Sequence, residues 1–230
     1  MSASPHSFVK LPRSPDVLDE LLHSLSQPLT SLRCSLELSL AHSLRHSLEL
    51  SVEEVAAQRQ ESVAVALQQT EKVIGMIRLM REYVDAEQPG PKAFSAALEP
   101  TMRSVVEELS SIAAVRGVRL LLAGTCRATL RVAESRLRLA LQYLIAPLIE
   151  AQPAGGKVML LLGEGPAGAV LRVEGERGFR VLSEAPSTLR RVRLAIASRV
   201  LENAGASLVL SDVGPAGFVL RVPRPVDAPA

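Results

Sequence analysis

Between Leu18 and Leu36 leucines recur at alternating steps of four and three, at Leu18, Leu22, Leu25, Leu29, Leu32 and Leu36. This is the period of a helix that buries one stripe, and it excludes a strand, whose buried side chains alternate. A second series, Val63, Ala66, Thr70, Val73, Ile77, Met80 and Val84, repeats the pattern. The two segments predict a pair of long antiparallel helices. Each stripe is too long to be covered by the other helix alone, so a second copy of the hairpin is expected to complete a four-helix bundle. The composition agrees: 37 Leu stand against four Phe, two Tyr and no Trp, so any core here is aliphatic.

The segment Glu87-Gln-Pro-Gly-Pro-Lys92 stacks helix breakers behind the second series and marks a domain boundary. We read residues 1–14 as a flexible leader, 15–88 as the hairpin with Asp16 as its first cap, 93–224 as a second domain and 225–230 as a tail. In the second domain a helix through Val105, Val106, Leu109 and Ile112 ends near Gly117, and strands follow at 118–122 and 128–132. A helix over 134–151, a hairpin of 157–162 with 169–173, a helix over 187–204 stopped by Gly205, and strands at 207–210 and 218–222 complete it. This mixture predicts an α+β sandwich, with helices on one face of a mixed sheet.

Several function classes fall away. The paucity of rings removes the stacking platforms of single-strand binders. A net charge of +2 from 26 basic and 24 acidic residues, interspersed along the chain, gives no footprint for nucleic acid. No membrane span is expected, because the longest apolar run, 137–151, is broken by Arg138, Gln142, Pro147 and Glu150. The first residues lack a signal-peptide core, and Cys34 and Cys126 show neither disulfide nor zinc spacing, so a cytoplasmic location is expected. His42 and His46 stand four apart but without the acid of a zincin motif, and no metal site is expected.

His23 differs from His6, His42 and His46 in its surroundings. It neighbours the stripe residue Leu22, which puts it on the flank of the bundle, and Gln27 and Pro28 follow four and five residues on. Proline in a helix cannot bond the carbonyl four residues earlier, here that of Ser24, so a local kink is expected. An exposed neutral imidazole is a nucleophile able to accept a phosphoryl group, but the residues alone favour an ordinary surface histidine.

The segment His23-Ser-Leu-Ser-Gln-Pro-Leu29 resembles the H-box of bacterial sensor histidine kinases, in its HxLxQPL form. The likeness continues in 105–120, similar to the opening helix and first strand of the kinase ATPase-like domain of Bergerat type. It extends to 134–145, similar to the helix bearing the N-box, and to 194–223, similar to the closing helix and hairpin. The resemblance implies a dimerisation and phosphoacceptor hairpin followed by an ATPase-like domain, with His23 as phosphoacceptor. In that family an asparagine of the N-box helix holds magnesium near the phosphates, and the positions corresponding to the two N-box asparagines are Tyr143 and Pro147. The DxGxG segment is replaced by Glu174-Gly-Glu176-Arg-Gly178, and the glycine-rich lid by Ser187-Thr-Leu-Arg-Arg-Val-Arg193, which has no glycine. The acid that follows the histidine in kinases is replaced by Ser24, a poor base. Arg190, Arg191 and Arg193 either grip phosphate by another geometry or form a solvated helix face.

The resemblance thus implies a homodimeric histidine phosphotransferase that relays phosphoryl groups through His23 between response-regulator receivers. It would use no cofactor of its own, the receiver supplying magnesium. Ser24, Ser26, Gln27 and Thr30 would dock the receiver, with positioning of a hydrolytic water as a second candidate role for Gln27. The alternatives are a non-catalytic pseudokinase that binds and regulates a receiver or kinase and, last, an active kinase with an altered nucleotide pocket.

Overall fold

The computed structural model describes residues 14–45, 52–88, 94–176, 188–210 and 217–224. The leader, the tail, His6, His46 and the lid residue Ser187 lie outside the described residues, as does the side chain of His42. The chain divides into two units, Arg13–Glu82 and a second that takes in Tyr83 onward.

The first unit is a helical hairpin. Helix α1 spans Ser14–Arg45, starting two residues before Asp16, and α2 spans Val52–Glu87. At 1.5 Å per residue these helices run to roughly 50 Å. The stripe on α1 is not the row that the chain buries. Val17, Leu21 and Pro28 are buried, whereas Leu22, Leu29 and Leu36 are 45%, 44% and 52% exposed. On α2, Val63, Leu67, Ile74, Ile77 and Val84 are all about half exposed. With Thr70 included, the positions from Val63 to Ile77 step by four, three, four and three, and Val84 follows two turns on beyond the exposed Arg81, so α2 presents a largely apolar seam. The sequence reveals how wide the apolar face is but not which of its two neighbouring rows the chain covers by itself.

The second unit begins inside α2. Tyr83 and Ala86 are buried, and Glu87 makes a double hydrogen bond with Arg199, at 3.2 and 3.0 Å. Asn203 donates to the Ala86 carbonyl at 2.8 Å, satisfying one of the acceptors that a helix end leaves open. Beyond Ser95 come β1 (Ala96–Ala97), α3 (Leu98–Val115), β2 (Arg119–Ala123), β3 (Thr129–Leu130), α4 (Glu134–Ala151), β4 (Lys157–Gly165), β5 (Gly168–Gly175), α5 (Thr188–Asn203), β6 (Ser207–Leu210) and β7 (Gly217–Pro223). The order in the main sheet is β2-β4-β5-β7-β6, with β2 parallel to β4 and the remaining pairs antiparallel; β1 and β3 form a separate two-stranded ladder. The expected strand over 128–132 shrinks to the two residues of β3, because its only ladder partner, β1, is itself two residues long.

Both expected glycine stops are present. Gly117 and Gly205 have φ of 67° and 86°, and the amides of Val118 and Ala206 reach back to Ala113 and Leu201. That left-handed step is cheap for glycine and satisfies carbonyls at the helix ends. Along the strands burial alternates. Leu160, Val173 and Phe218 lie in one cross-strand row, with Leu162, Leu171 and Leu220 in the next, and all six are buried. Leu98, Met102, Leu137, Leu141, Leu144 and Leu148 complete an almost wholly aliphatic core on this helix-bearing face. No described helix is long and apolar enough to cross a membrane.

Candidate functional site

On α1 the buried row of Leu21 and Pro28 turns the chain so that His23 and Gln27 face outward, and both are exposed. Their spacing of four places them one turn apart on the same side of the helix. Asp19 is exposed one turn earlier, also on that side. Sequence reasoning passed over it by looking for an acid directly after the histidine. The helix runs unbroken through Pro28, whose ring is buried. Ser26 and Thr30 are exposed, but their hydroxyls donate to the Leu22 and Ser26 carbonyls at 3.1 and 2.8 Å. Ser24 is half-buried. The face around His23 therefore offers an accessible imidazole and an exposed amide side chain, flanked by the half-exposed Leu22 and Leu29. An imidazole so placed can attack an incoming phosphorus atom without rearrangement of the helix.

In the second unit, Tyr143 and Pro147 lie on α4, the first half-buried and the second fully buried. The Arg193 guanidinium sits 5.4 Å from the Tyr143 ring centroid, a cation–π contact between α5 and α4. One turn away Arg190 bonds Glu150 at 3.1 Å, the same two helices being joined again. Arg190 and Arg193 thus each make a contact within the domain, and Arg193 remains exposed. Further along α4, Gln142 donates to Glu108, and Arg138 pairs with Glu134 at 2.7 Å and with Glu108 at 3.5 Å.

Glu174 occupies the other side of the sheet from the helices. Leu171, Val173 and Gly175 are the buried positions of β5, so Arg172 and Glu174 project from the opposite face, where they pair at 3.5 Å. Glu176 is exposed just beyond the strand. The sequence grouped Tyr143, Pro147, Glu174 and Glu176; the structure brings Tyr143 and Pro147 together on α4 and turns Glu174 away from them. Among the described residues no group of three His, Cys, Asp or Glu side chains is placed to hold a metal.

No protein-family model matches the chain, and no curated protein matches it in sequence. Solved structures do match in shape. The histidine kinase AdeS of Acinetobacter baumannii superposes with a TM-score of 0.60 at 16% identity, over 87% of this chain and 97% of that one. ShkA, solved full length with AMPPNP, gives 0.53 at 18% identity, over 91% of this chain and 45% of that one. The fold is that of a histidine-kinase core. A helical hairpin followed by a mixed-sheet domain with helices on one face is what this histidine-kinase-like chain shares with them.

Proposed function

We propose that this histidine-kinase-like protein is a homodimeric histidine phosphotransferase, relaying phosphoryl groups through His23 between response-regulator receivers without using ATP. The observation that carries the reading is the exposure of His23 one turn from Gln27, within the HxLxQPL spacing. The second domain supports the same reading. Where the resemblance places the two N-box asparagines, one of them the magnesium holder, stand Tyr143, under Arg193, and Pro147, buried in its helix. Neither side chain offers an amide oxygen, so these residues do not fit a magnesium nucleotide.

In the proposed transfer, a lone pair of the neutral His23 ring attacks the phosphorus of a receiver aspartyl phosphate. The new N–P bond forms as the acyl phosphate P–O bond breaks, and its electron pair leaves on the receiver carboxylate. Onward transfer to a second receiver is the reverse. The seam of Leu22 and Leu29 on α1 with Ile74, Ile77 and Val84 on α2 supports dimerisation, since a monomer would leave these apolar side chains half exposed.

The test incubates the full chain with a phosphorylated receiver and, separately, with Mg-ATP, following acid-labile, base-stable phosphate on wild type and on His23→Ala. Label from the receiver that is lost in His23→Ala, with none from ATP, is the expected result. Label from ATP on His23 overturns the account of the second domain. Absence of label from every receiver that binds the chain favours the pseudokinase alternative.

A further inference from the structure

A cleft of about 280 Å³ lies where the β4–β5 turn, the end of β7 and the β2–β3 loop meet. Gly165 and Gly168 form its lip, at the opposite end of β5 from Gly175 and Glu176, so it is separate from the positions discussed above. Arg127, Thr129, Glu164 and Arg224 contribute its polar lining, and Ala169, Val222 and Pro223 its apolar part. Among the described residues neither the Arg127 nor the Arg224 guanidinium has an ion-pair partner, and the Thr129 hydroxyl has no hydrogen bond. Five other arginines of this domain, Arg103, Arg138, Arg172, Arg190 and Arg199, each hold a carboxylate.

The backbone beneath the two free guanidiniums is fixed. On the β2–β3 loop the Cys126 amide donates to Glu99 at 2.9 Å, the Arg127 amide to Glu164, and the Ala128 carbonyl accepts from Leu98 at 2.9 Å. Three successive residues are thus tied, with Arg127 in the middle. Arg224 is tied by its amide to the Ala167 carbonyl in the β4–β5 turn, at 3.3 Å. With both main chains anchored, the roots of the two cationic side chains are held at one cleft, so only the side chains remain to be ordered on a ligand. Among the described residues Glu164 is the only acid in the lining. Its carboxylate already accepts the Arg127 amide, and the balance of charge stays positive.

We propose that this cleft binds a small oxyanion, a phosphate or carboxylate group, gripped by Arg127 and Arg224 with the Thr129 hydroxyl as a third donor. Guanidinium matches either group through paired N–H donors. The cleft is near the lower end of the roughly 300–1,000 Å³ typical of small-molecule sites, which suits a metabolite-sized anion. The site stands independently of the relay through His23.

The test is calorimetric titration of the full chain at low ionic strength with inorganic phosphate and, separately, citrate. Saturable binding of phosphate alone assigns the site to phosphoryl ligands, binding of citrate alone to carboxylates, and either outcome supports the proposal. The Arg127→Ala, Arg224→Ala double variant is expected to weaken binding tenfold or more, on the order of one lost charge-assisted bond. The control is Arg116→Ala with Arg131→Ala, two exposed arginines outside the lining, which removes equal charge and is expected to change little. Glu164→Gln keeps an acceptor for the Arg127 amide while deleting the opposing charge, and is expected to tighten binding. Lack of binding of both anions up to roughly 10 mM, or equal weakening in the control, overturns the proposal.

Discussion

Truncating Ile77 tests the open seam of the hairpin most directly. Its side chain is 53% exposed in the single chain. Complete burial of an isoleucine is worth about 1.5–3 kcal/mol, so covering the remaining half contributes about 0.8–1.5 kcal/mol in each protomer. A twofold interface counts every residue twice. Alanine keeps the β-carbon, so Ile77→Ala is expected to cost the dimer about 1–2.5 kcal/mol, or roughly a five- to seventyfold rise in its dissociation constant. Alanine also favours the helix, so the hairpin itself should persist by circular dichroism. Sedimentation velocity over a concentration series reads the change. Val115→Ala, at an apolar residue 90% exposed on α3, is the control and should leave the association constant unmoved. If wild type sediments as a monomer at every concentration, or Ile77→Ala dissociates no further than Val115→Ala, the assignment of the seam to a second copy is wrong.

Two further outcomes follow from ionisation. The Arg103 guanidinium, then the Cys126 amide, hold the Glu99 carboxyl below its ordinary value of 4.5. A folded pKa below the unfolded one adds stability above the unfolded value, and that stability is lost as pH falls through the folded value. Glu99→Gln should therefore melt below wild type at neutral pH, with the gap closing in melts taken below pH 4.5. Burial pushes the Cys126 thiol up, whereas Cys34 is exposed on α1. Iodoacetamide at mildly alkaline pH should modify Cys34 alone in the folded protein and both thiols in urea, as counted by intact mass.

The parts of the structure legible in the sequence are those whose cause is local. Apolar steps of three and four set α1 and α2, and the glycines at 117 and 205 stop their helices by backbone conformation alone. The breakers at 89–91 mark where α2 must end, and it does so at Glu87. Legibility failed where the deciding partner is remote. Arg193 and Tyr143 are fifty residues apart, and nothing in the surroundings of either names the other. The same holds for Arg190 with Glu150, and for the cleft that takes Arg127 from the β2–β3 loop and Arg224 from just beyond β7. The orientation of Glu174 was within reach, since Leu171 and Val173 are alternate apolar residues on its own strand and already point it the other way.

Two polar contacts between α4 and α5 also bear on how the helices respond to substitution. Arg193 rests on the Tyr143 ring and Arg190 on the Glu150 carboxylate, so each partner now has a packing reason to be kept. Tyr143→Asn alone would leave Arg193 over a missing ring, and Arg193→Ala alone would uncover the ring, so the two substitutions should not add in their effect on stability. The pair therefore acts as one unit that clasps the two helices.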